Sequence, residues 1–177
     1  SIMNPHFLFN SLNSIQYFIA DKKREEAISY LSLFSRLIRK IIDSSFSGYI
    51  LLQEELETLH NYIKLEQLRF ENKFNYHIDV DPSINPDNIK IPSLLIQPFV
   101  ENAILHGIKN KKGKGTLLIN IQRKEKMLVC IIEDDGIGRE KSIQINANTQ
   151  AHTSVGMMLT KERLKLISSQ HTDTSNI

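Results

Sequence analysis

Several residue types and patterns are scarce in this sequence, and each absence narrows what the protein can be. The 177 residues contain one cysteine, Cys130, and no tryptophan. A single cysteine cannot form an internal disulfide, which excludes a disulfide-stabilised scaffold. No apolar run approaches the roughly 20 residues of a membrane span, and no signal peptide is apparent. We therefore expect a fold held by its hydrophobic core, with Cys130 as a buried, inert thiol.

An excess of charge of one sign is also missing. The chain has 22 basic and 20 acidic residues and a net charge of +2, which does not indicate binding of nucleic acid. The one local excess, lysines at four positions of 109–114, is typical of a solvated loop, and attraction of phosphate is the second interpretation. The six histidines are scattered without the spacing of metal ligands, which disfavours a zinc site.

Three helical segments open the chain. In each, apolar residues recur at spacings of three and four, which predicts a helix with one apolar stripe. The stripes are Leu8, Leu12, Ile15 and Ile19; Ile28, Leu31, Phe34, Ile38 and Ile41; and Leu52, Leu56, Leu59 and Ile63. Narrow stripes of this type suit packing between helices, often from two chains.

The pattern changes near residue 72. Residues 74–80 alternate as a half-buried strand does, and residues 92–106 form a mostly apolar segment that predicts a helix. Two strands at 116–122 and 127–133 flank a charged turn, which predicts a hairpin, and residues 155–168 predict a last helix. The fold class is therefore α+β: an N-terminal helical hairpin at 1–71 and an α/β two-layer sandwich at 72–177.

A histidine marks the start of the first helix. In Asn4-Pro5-His6, Asn suits an N-cap and Pro the first helical position, or the proline kinks a helix that begins further upstream. At 100° per residue, His6 lies about 200° from the Leu8 stripe. It shares a polar track with Asn10, Asn13 and Tyr17. A neutral imidazole there can attack a phosphate, although spacing alone favours an ordinary surface histidine.

Three further motifs follow in an order that favours a nucleotide site. Asn102 lies in an apolar helix, where a buried amide needs partners; these are backbone groups or a magnesium ion. Residues 134–138, Asp-Asp-Gly-Ile-Gly, follow a strand and form either a plain turn or a wall that lets a ligand approach closely. The Asp134 carboxylate there can accept a hydrogen bond from an exocyclic amino group. Gly156 precedes the last helix, whose N-terminus is either a seat for phosphate or an ordinary capped end.

These motifs resemble those of the LytS/YehU-type sensor histidine kinases, whose ATP domain has the Bergerat (GHKL) fold also seen in gyrase, Hsp90 and MutL. The string from Asn4 to Ile15 is similar to the phosphoacceptor box of that family. Residues 97–107 resemble its N box, residues 134–138 its G1 box and residues 154–164 its G2 region. The segment from Leu52 to Phe70, with Tyr62, Glu66 and Arg69, resembles its second helical segment. The resemblance covers about residues 1–169.

The resemblance implies a role for each matching position. His6 accepts phosphate from ATP, and Asn10 matches a position linked to phosphatase action in related kinases. Asn102 binds Mg²⁺. The other cofactor-binding positions are His106 and Gly107 near the pocket, Asp134 at the adenine amino group, Gly136 and Gly138 in that wall, and Gly156 near the phosphates. The family further implies a homodimer, a response regulator often of the LytTR type, and a cytoplasmic position within a parent protein anchored in the bacterial inner membrane.

The sequence also departs from related patterns. Phe7 follows His6 where the more usual kinase box has an acidic residue, so no base for His6 is evident. Pro98 lies four residues before Asn102, where hydrolysing relatives have a glutamate; this favours a kinase over an ATPase or clamp. Leu105 and Ser154 replace residues common in the family, and the chain ends at Ile177 before the expected Gly-Thr strand. A degenerate kinase that serves as a dimerisation scaffold is the remaining alternative.

Overall fold

A computed structural model describes residues 5–125 and 127–138, without the side chains of Pro5, His6 and Ser45. The helices are α1 (Pro5–Ala20), α2 (Arg24–Phe46), α3 (Leu52–Arg69) and α4 (Gln97–Asn102), which continues as a π-helical segment (Ala103–Ile108). The strands are β1 (Tyr49–Leu51), β2 (Phe74–Val80), β3 (Lys90–Pro92), β4 (Gly115–Lys124) and β5 (Met127–Asp134), and a 3₁₀ turn spans Pro86–Asn88. The α+β class is confirmed, as are the three N-terminal helices, the strand at 74–80 and the β4–β5 hairpin. The predicted helix at 155–168 lies outside the described residues.

A three-stranded sheet, in the order β2-β4-β5, contributes buried residues to the core of the second half of the chain. β4 runs parallel to β2 and antiparallel to β5. Alternation along β4 places Leu117, Ile119 and Ile121 on one face, where all three are buried. Helix α3 contacts β2, and the π-helical segment contacts β4 and β5, so these helices lie over the sheet.

Helix α3 joins the first part of the chain to the second. Strand β1, directly before α3, pairs with β3, and α3 contacts α2 on one side and α4 and β2 on the other. The predicted stripe residues Leu52, Leu59 and Ile63 are buried. The domain boundary at residue 71 stays a prediction, but contacts of α3 extend to both sides of it.

The face of α1 that packs within the chain differs from the apolar stripe. Its buried residues are Phe7, Ser11, Ser14 and Phe18, whereas Leu12 is 51% and Ile19 is 64% exposed. The Phe18 ring packs on Tyr30 of α2, with 5.7 Å between ring centroids. Serines on the contact face allow helices to approach closely because their side chains are small. Much of the stripe is therefore left outside the described core.

Cys130 is exposed, so the prediction of a buried thiol was wrong. β5 is the outermost strand of the described sheet, and the π-helical segment covers its Asp134 end. Within the described residues no second strand flanks β5 on its far side. A residue in an apolar strand sequence at such an edge keeps contact with solvent.

None of the helices in the described ranges combines the length and the apolar content that a membrane span requires.

Candidate nucleotide-binding site

The predicted site begins at a helix that changes its geometry. Pro98 occupies the first turn of α4, where its missing N–H costs nothing. After Asn102 the helix widens, and the Lys109 N–H bonds to the Ile104 carbonyl at 2.9 Å, five residues back. Single π turns are rare and are enriched at functional sites. The widened turn contains His106 and Gly107, two of the predicted pocket residues.

A buried carboxylate from another helix holds the start of α4. Glu55 of α3 is buried, and its carboxylate accepts hydrogen bonds from the N–H groups of Leu94 (3.0 Å), Ile96 (3.0 Å) and Gln97 (3.4 Å). Leu94 has a positive φ of 56°, a conformation that needs support in a non-glycine residue. The negative charge at the beginning of α4 also complements its dipole. Glu55 thus fixes the helix that carries Asn102.

Glycine permits the end of the π-helical segment to touch the Asp-Asp-Gly loop. A Cβ on Gly107 would lie 2.2 Å from Oδ1 of Asp134, and a Cβ on Gly136 would lie 2.2 Å from the Gly107 carbonyl carbon. The Ile137 N–H donates to the Gly107 carbonyl at 3.2 Å. A side chain at Gly136 would separate these two segments because it would meet backbone, whereas a side chain at Gly107 would displace the Asp134 carboxylate. The structure therefore brings Gly107, Asp134 and Gly136 into one contact.

The two adjacent aspartates have different partners. Asp135 pairs with Lys111 (Oδ2 to Nζ, 2.8 Å) and accepts from the Thr116 N–H (2.7 Å). The Lys111 hydrogen bond is the main reason that the pKa of Asp135 is lowered. Asp134 accepts from the Gly136 N–H at 3.0 Å and pairs across the sheet with the buried Leu117, which places it on the face covered by helices. Asp135 anchors the loop, and Asp134 is presented to the site.

The remaining predicted pocket residues lie around this contact. Asn102 is half-buried at the last residue of α4. His106 is half-buried one turn later, and burial, with a smaller effect of Lys109, lowers the pKa of its imidazole. Gly138 has a φ of +79°, which favours glycine. Gly156 lies outside the described residues.

The helix that carries His6 packs against the same region. His6 lies in the first turns of α1, and its neighbour Phe7 is buried. The Phe7 ring lies 5.7 Å from the ring of Tyr62 on α3 and 6.1 Å from that of Phe34 on α2. Asn10, one turn after His6, borders a small cleft between α1, α3 and α4. The His6 end of α1 is therefore held beside the helices that carry the pocket residues.

Two acidic residues near this end of α1 had no role assigned from the sequence. Glu66 of α3 is fully buried, with its Oε2 atom 2.8 Å from the Arg69 guanidinium. Glu101 directly precedes Asn102 and accepts from the Gln97 amide at 3.0 Å. Their positions in the sequence matched family segments without naming a function. Their proximity to each other depends on the packing of α3 against α4, which spacing does not reveal.

Comparison with known proteins identifies relatives over nearly the whole chain. The sequence model of the family described as "Histidine kinase" matches residues 1–74. The sensor histidine kinase YpdA of Escherichia coli is 36% identical over 169 residues, 94% of this chain and 29% of that protein. The sensor protein LytS of Staphylococcus epidermidis is 33% identical over 136 residues, 77% of this chain and 22% of that protein.

A further relative is the sensor histidine kinase BtsS of Escherichia coli. It is 32% identical over 133 residues, which are 75% of this chain and 23% of that protein. The chain spans less than a third of the length of these three relatives.

Proposed function

Because this chain belongs to the LytS/YehU-type sensor histidine kinases, we propose that it phosphorylates His6 from MgATP. The phosphoryl group then passes to an aspartate of a response regulator, often one of the LytTR type. The observation that carries the proposal is the contact of Gly107 with Asp134 and Gly136. It joins the N-box and G1 segments into one wall, next to the packed end of the His6 helix.

Each residue of the site has a task in this proposal. Asp134 accepts a hydrogen bond from the adenine amino group, and its contact with Gly136 holds the carboxylate in place. Gly138 continues the adenine wall. His106 and Gly107 line the pocket, and Gly156 lies near the phosphates. The sheet with α3 and α4 over it is then part of a Bergerat-type two-layer sandwich.

Asn102 fits a magnesium ligand that shares the ion with phosphate. It offers one neutral amide oxygen from a half-buried position. Among residues 5–125 and 127–138, no group of three or more histidine, cysteine, aspartate or glutamate side chains is arranged to hold a metal. Mg²⁺ typically takes few protein ligands and keeps water and phosphate oxygens. The ion would neutralise phosphate charge, and the residues of the chain would position the nucleotide.

The helical hairpin supports a homodimer. An open groove of about 410 Å³ runs along α2, lined by Leu31, Phe34, Ser35, Ile38, Arg39 and Ile42. Leu12 and Ile19 of α1 are also exposed. A second copy of the hairpin buries such stripes in a four-helix bundle. In the full-length protein we expect this unit on the cytoplasmic side of the bacterial inner membrane, anchored by another part of the protein.

The experiment that tests the function uses the full-length protein and γ-labelled ATP. We expect an acid-labile, alkali-stable label that is lost in His6→Gln and kept in His77→Gln, since His77 is an exposed histidine on β2. The Asp134→Asn variant is expected to lose nucleotide binding. Label retained in His6→Gln contradicts the proposal. Steady ATP hydrolysis that survives this substitution supports the ATPase or clamp instead, and absence of any ATP-dependent thermal shift supports the scaffold.

A further inference from the structure

A small cleft lies between the His6 end of α1 and the helices α3 and α4. Its lining includes Phe7 and Asn10 of α1, Tyr62, Glu66 and Arg69 of α3, and Glu101 of α4. We call it the Glu66 cleft. It encloses about 10 Å³, which is close to the space that one water molecule needs. Among the described residues, none of the positions predicted to bind nucleotide borders it.

Glu66 is the unusual group in this cleft. Its side chain is 0% exposed. Oε2 forms an ion pair with the Arg69 guanidinium at 2.8 Å, and neither carboxylate oxygen has a hydrogen-bond partner among the described residues. A fully buried carboxylate oxygen without a donor is costly and calls for an explanation. Glu101 differs because its Oε1 atom accepts from Gln97.

The cleft lies at the end of α1 where His6 occurs in the sequence. Asn10 follows His6 by four residues, so the two positions differ by about 40° around the helix and by one turn along it. Phe7, the next residue after His6, also lines the cleft. Glu101 borders the cleft and directly precedes Asn102. The cleft therefore adjoins both the histidine position and the predicted magnesium ligand.

We infer that Glu66 is the carboxylate that accepts the proton of His6 during phosphorylation, an inference that rests on the proposed function. One ring nitrogen of His6 forms the N–P bond, and the bond from the γ-phosphorus to the bridging oxygen breaks with its electrons left on ADP. The proton on the other ring nitrogen passes to Glu66, directly or through one water molecule. Glu66 thereby has the role that Phe7 cannot perform.

The electrostatic surroundings suit this task. Burial is the main reason that the pKa of Glu66 is raised to about 7, near the pH at which a general base is most effective. The negative charge of Glu101 also raises this pKa, whereas Arg69 and Lys109 lower it. The titratable and charged groups that act on Glu66 from the surrounding elements are Arg69 and Tyr62 of α3, Tyr30 of α2, Glu101 of α4 and Lys109.

The test measures the single-turnover rate of His6 labelling in full-length Glu66→Gln across pH 5.5 to 8.5, a range of about one and a half units on each side of neutrality. In the parent, Glu66 must be ionised and His6 neutral, so the logarithm of the rate falls in acid with a limiting slope of about 2. In Glu66→Gln we expect a slope of about 1, a rate about 100-fold lower, and unchanged affinity for MgATP. The isosteric amide keeps the packing of the cleft.

Glu101→Gln is the matched control, because it removes the other carboxylate of the same cleft. We expect a rate within about threefold of the parent and the same slope of about 2. The acid fall should move to lower pH, because the charge of Glu101 no longer raises the pKa of Glu66. Equal rates and equal slopes in the parent and Glu66→Gln would overturn the inference while His6 labelling still stands. An unlabelled parent would instead reject the proposed function itself.

Melting curves and MgATP binding show whether Glu66→Gln folds. If it does not, a second variant tests the inference. Glu66→Asp keeps a carboxylate but withdraws it by one methylene. We expect a rate about tenfold lower with the slope of about 2 preserved. A parent-like rate in Glu66→Asp overturns the inference, because a proton acceptor is sensitive to distance.

Discussion

Two apolar faces of the molecule, the outer face of the helical hairpin and the helix-covered face of β4, are buried to very different extents. Ile19 on α1 is 64% exposed, whereas Ile119 on β4 is 0% exposed. Several hairpin residues resemble Ile19 in this respect, namely Phe9, Leu12, Ile28, Leu31, Ile42 and Phe46. A closed face stabilises the chain by itself, and an open apolar face is stabilised only by a partner. The covered face of β4 is therefore stabilised within one chain, whereas the exposed apolar face of the helical hairpin is suited to packing against a second copy.

The first prediction compares the same substitution, isoleucine to alanine, at a buried and at an exposed position. Ile119→Ala removes a fully buried side chain and is expected to lower the free energy of unfolding by about 4 kcal/mol. Ile19→Ala removes a side chain that is largely in water already, so we expect a loss of about 0.5 kcal/mol or less. Urea unfolding of both variants in dilute protein measures the two values. Equal losses would mean that the hairpin is as closed as the sheet.

The next prediction concerns the glycine contact at the sheet side. Gly136→Ala forces a methyl group against the Gly107 backbone, and we expect a loss of about 3 kcal/mol together with loss of ATP binding. Gly48→Ala is the control, since no atom lies within 4 Å of its added Cβ. Thermal unfolding and titration with ATP analogues follow both effects. A Gly136→Ala variant that binds ATP normally would disprove the close approach.

A smaller effect is expected at the buried cap of α4. Glu55→Ala leaves three N–H groups without their acceptor, which we expect to cost about 2 kcal/mol and to weaken binding of MgATP. Glu57→Ala, on the same helix, removes an exposed pair with Lys40 and is expected to cost about 0.5 kcal/mol or less. Denaturant titrations compare the two. Similar losses would show that Glu55 has no special role at α4.

The smallest effect on the folded monomer is expected in the groove of the hairpin. Leu31→Asp places a charge where we propose that a second copy packs, so the dimer dissociation constant should rise by about tenfold or more. Ser29→Asp adds the same charge at an exposed position away from that groove and should leave the constant nearly unchanged. Sedimentation equilibrium measures both. Equal dimerisation in both variants would remove this face from the interface.

Local patterns were sufficient for much of the fold. The third helix, β2 and the β4–β5 hairpin follow from spacing, because each buries residues at its own period. The Asp134–Gly138 motif also emerged from the sequence, since its glycines serve a local backbone geometry. The burial of α1 was harder to predict: Phe7 and Phe18 face the chain, although the stripe ran through Leu12 and Ile19. Spacing locates an apolar face but does not say which partner covers it.

Other features needed contacts between distant parts of the chain. Glu55 caps α4 across 39 to 42 residues, and no local pattern marks a glutamate for that purpose. Cys130 looked buried because its neighbours are apolar, yet β5 is the outermost described strand. The pairing of Gly107 with Asp134 joins two motifs that the sequence presents separately. Each depends on which surfaces meet after the elements have formed.

Periodicity and side-chain chemistry are local properties, so the amino-acid sequence was enough to predict the main helices and strands and the chemical groups that the chain can offer. It was not enough for the short strands β1 and β3 or for the start of α4 at Gln97. It also carried the family, through the string around His6 and the spacing of the motifs that follow. Only the folded chain shows that the Glu66 carboxylate is buried without a hydrogen-bond donor and that the beginning of α1 lies beside α3 and α4. Burial and charge environment are properties of packing, since they depend on residues brought together from distant positions.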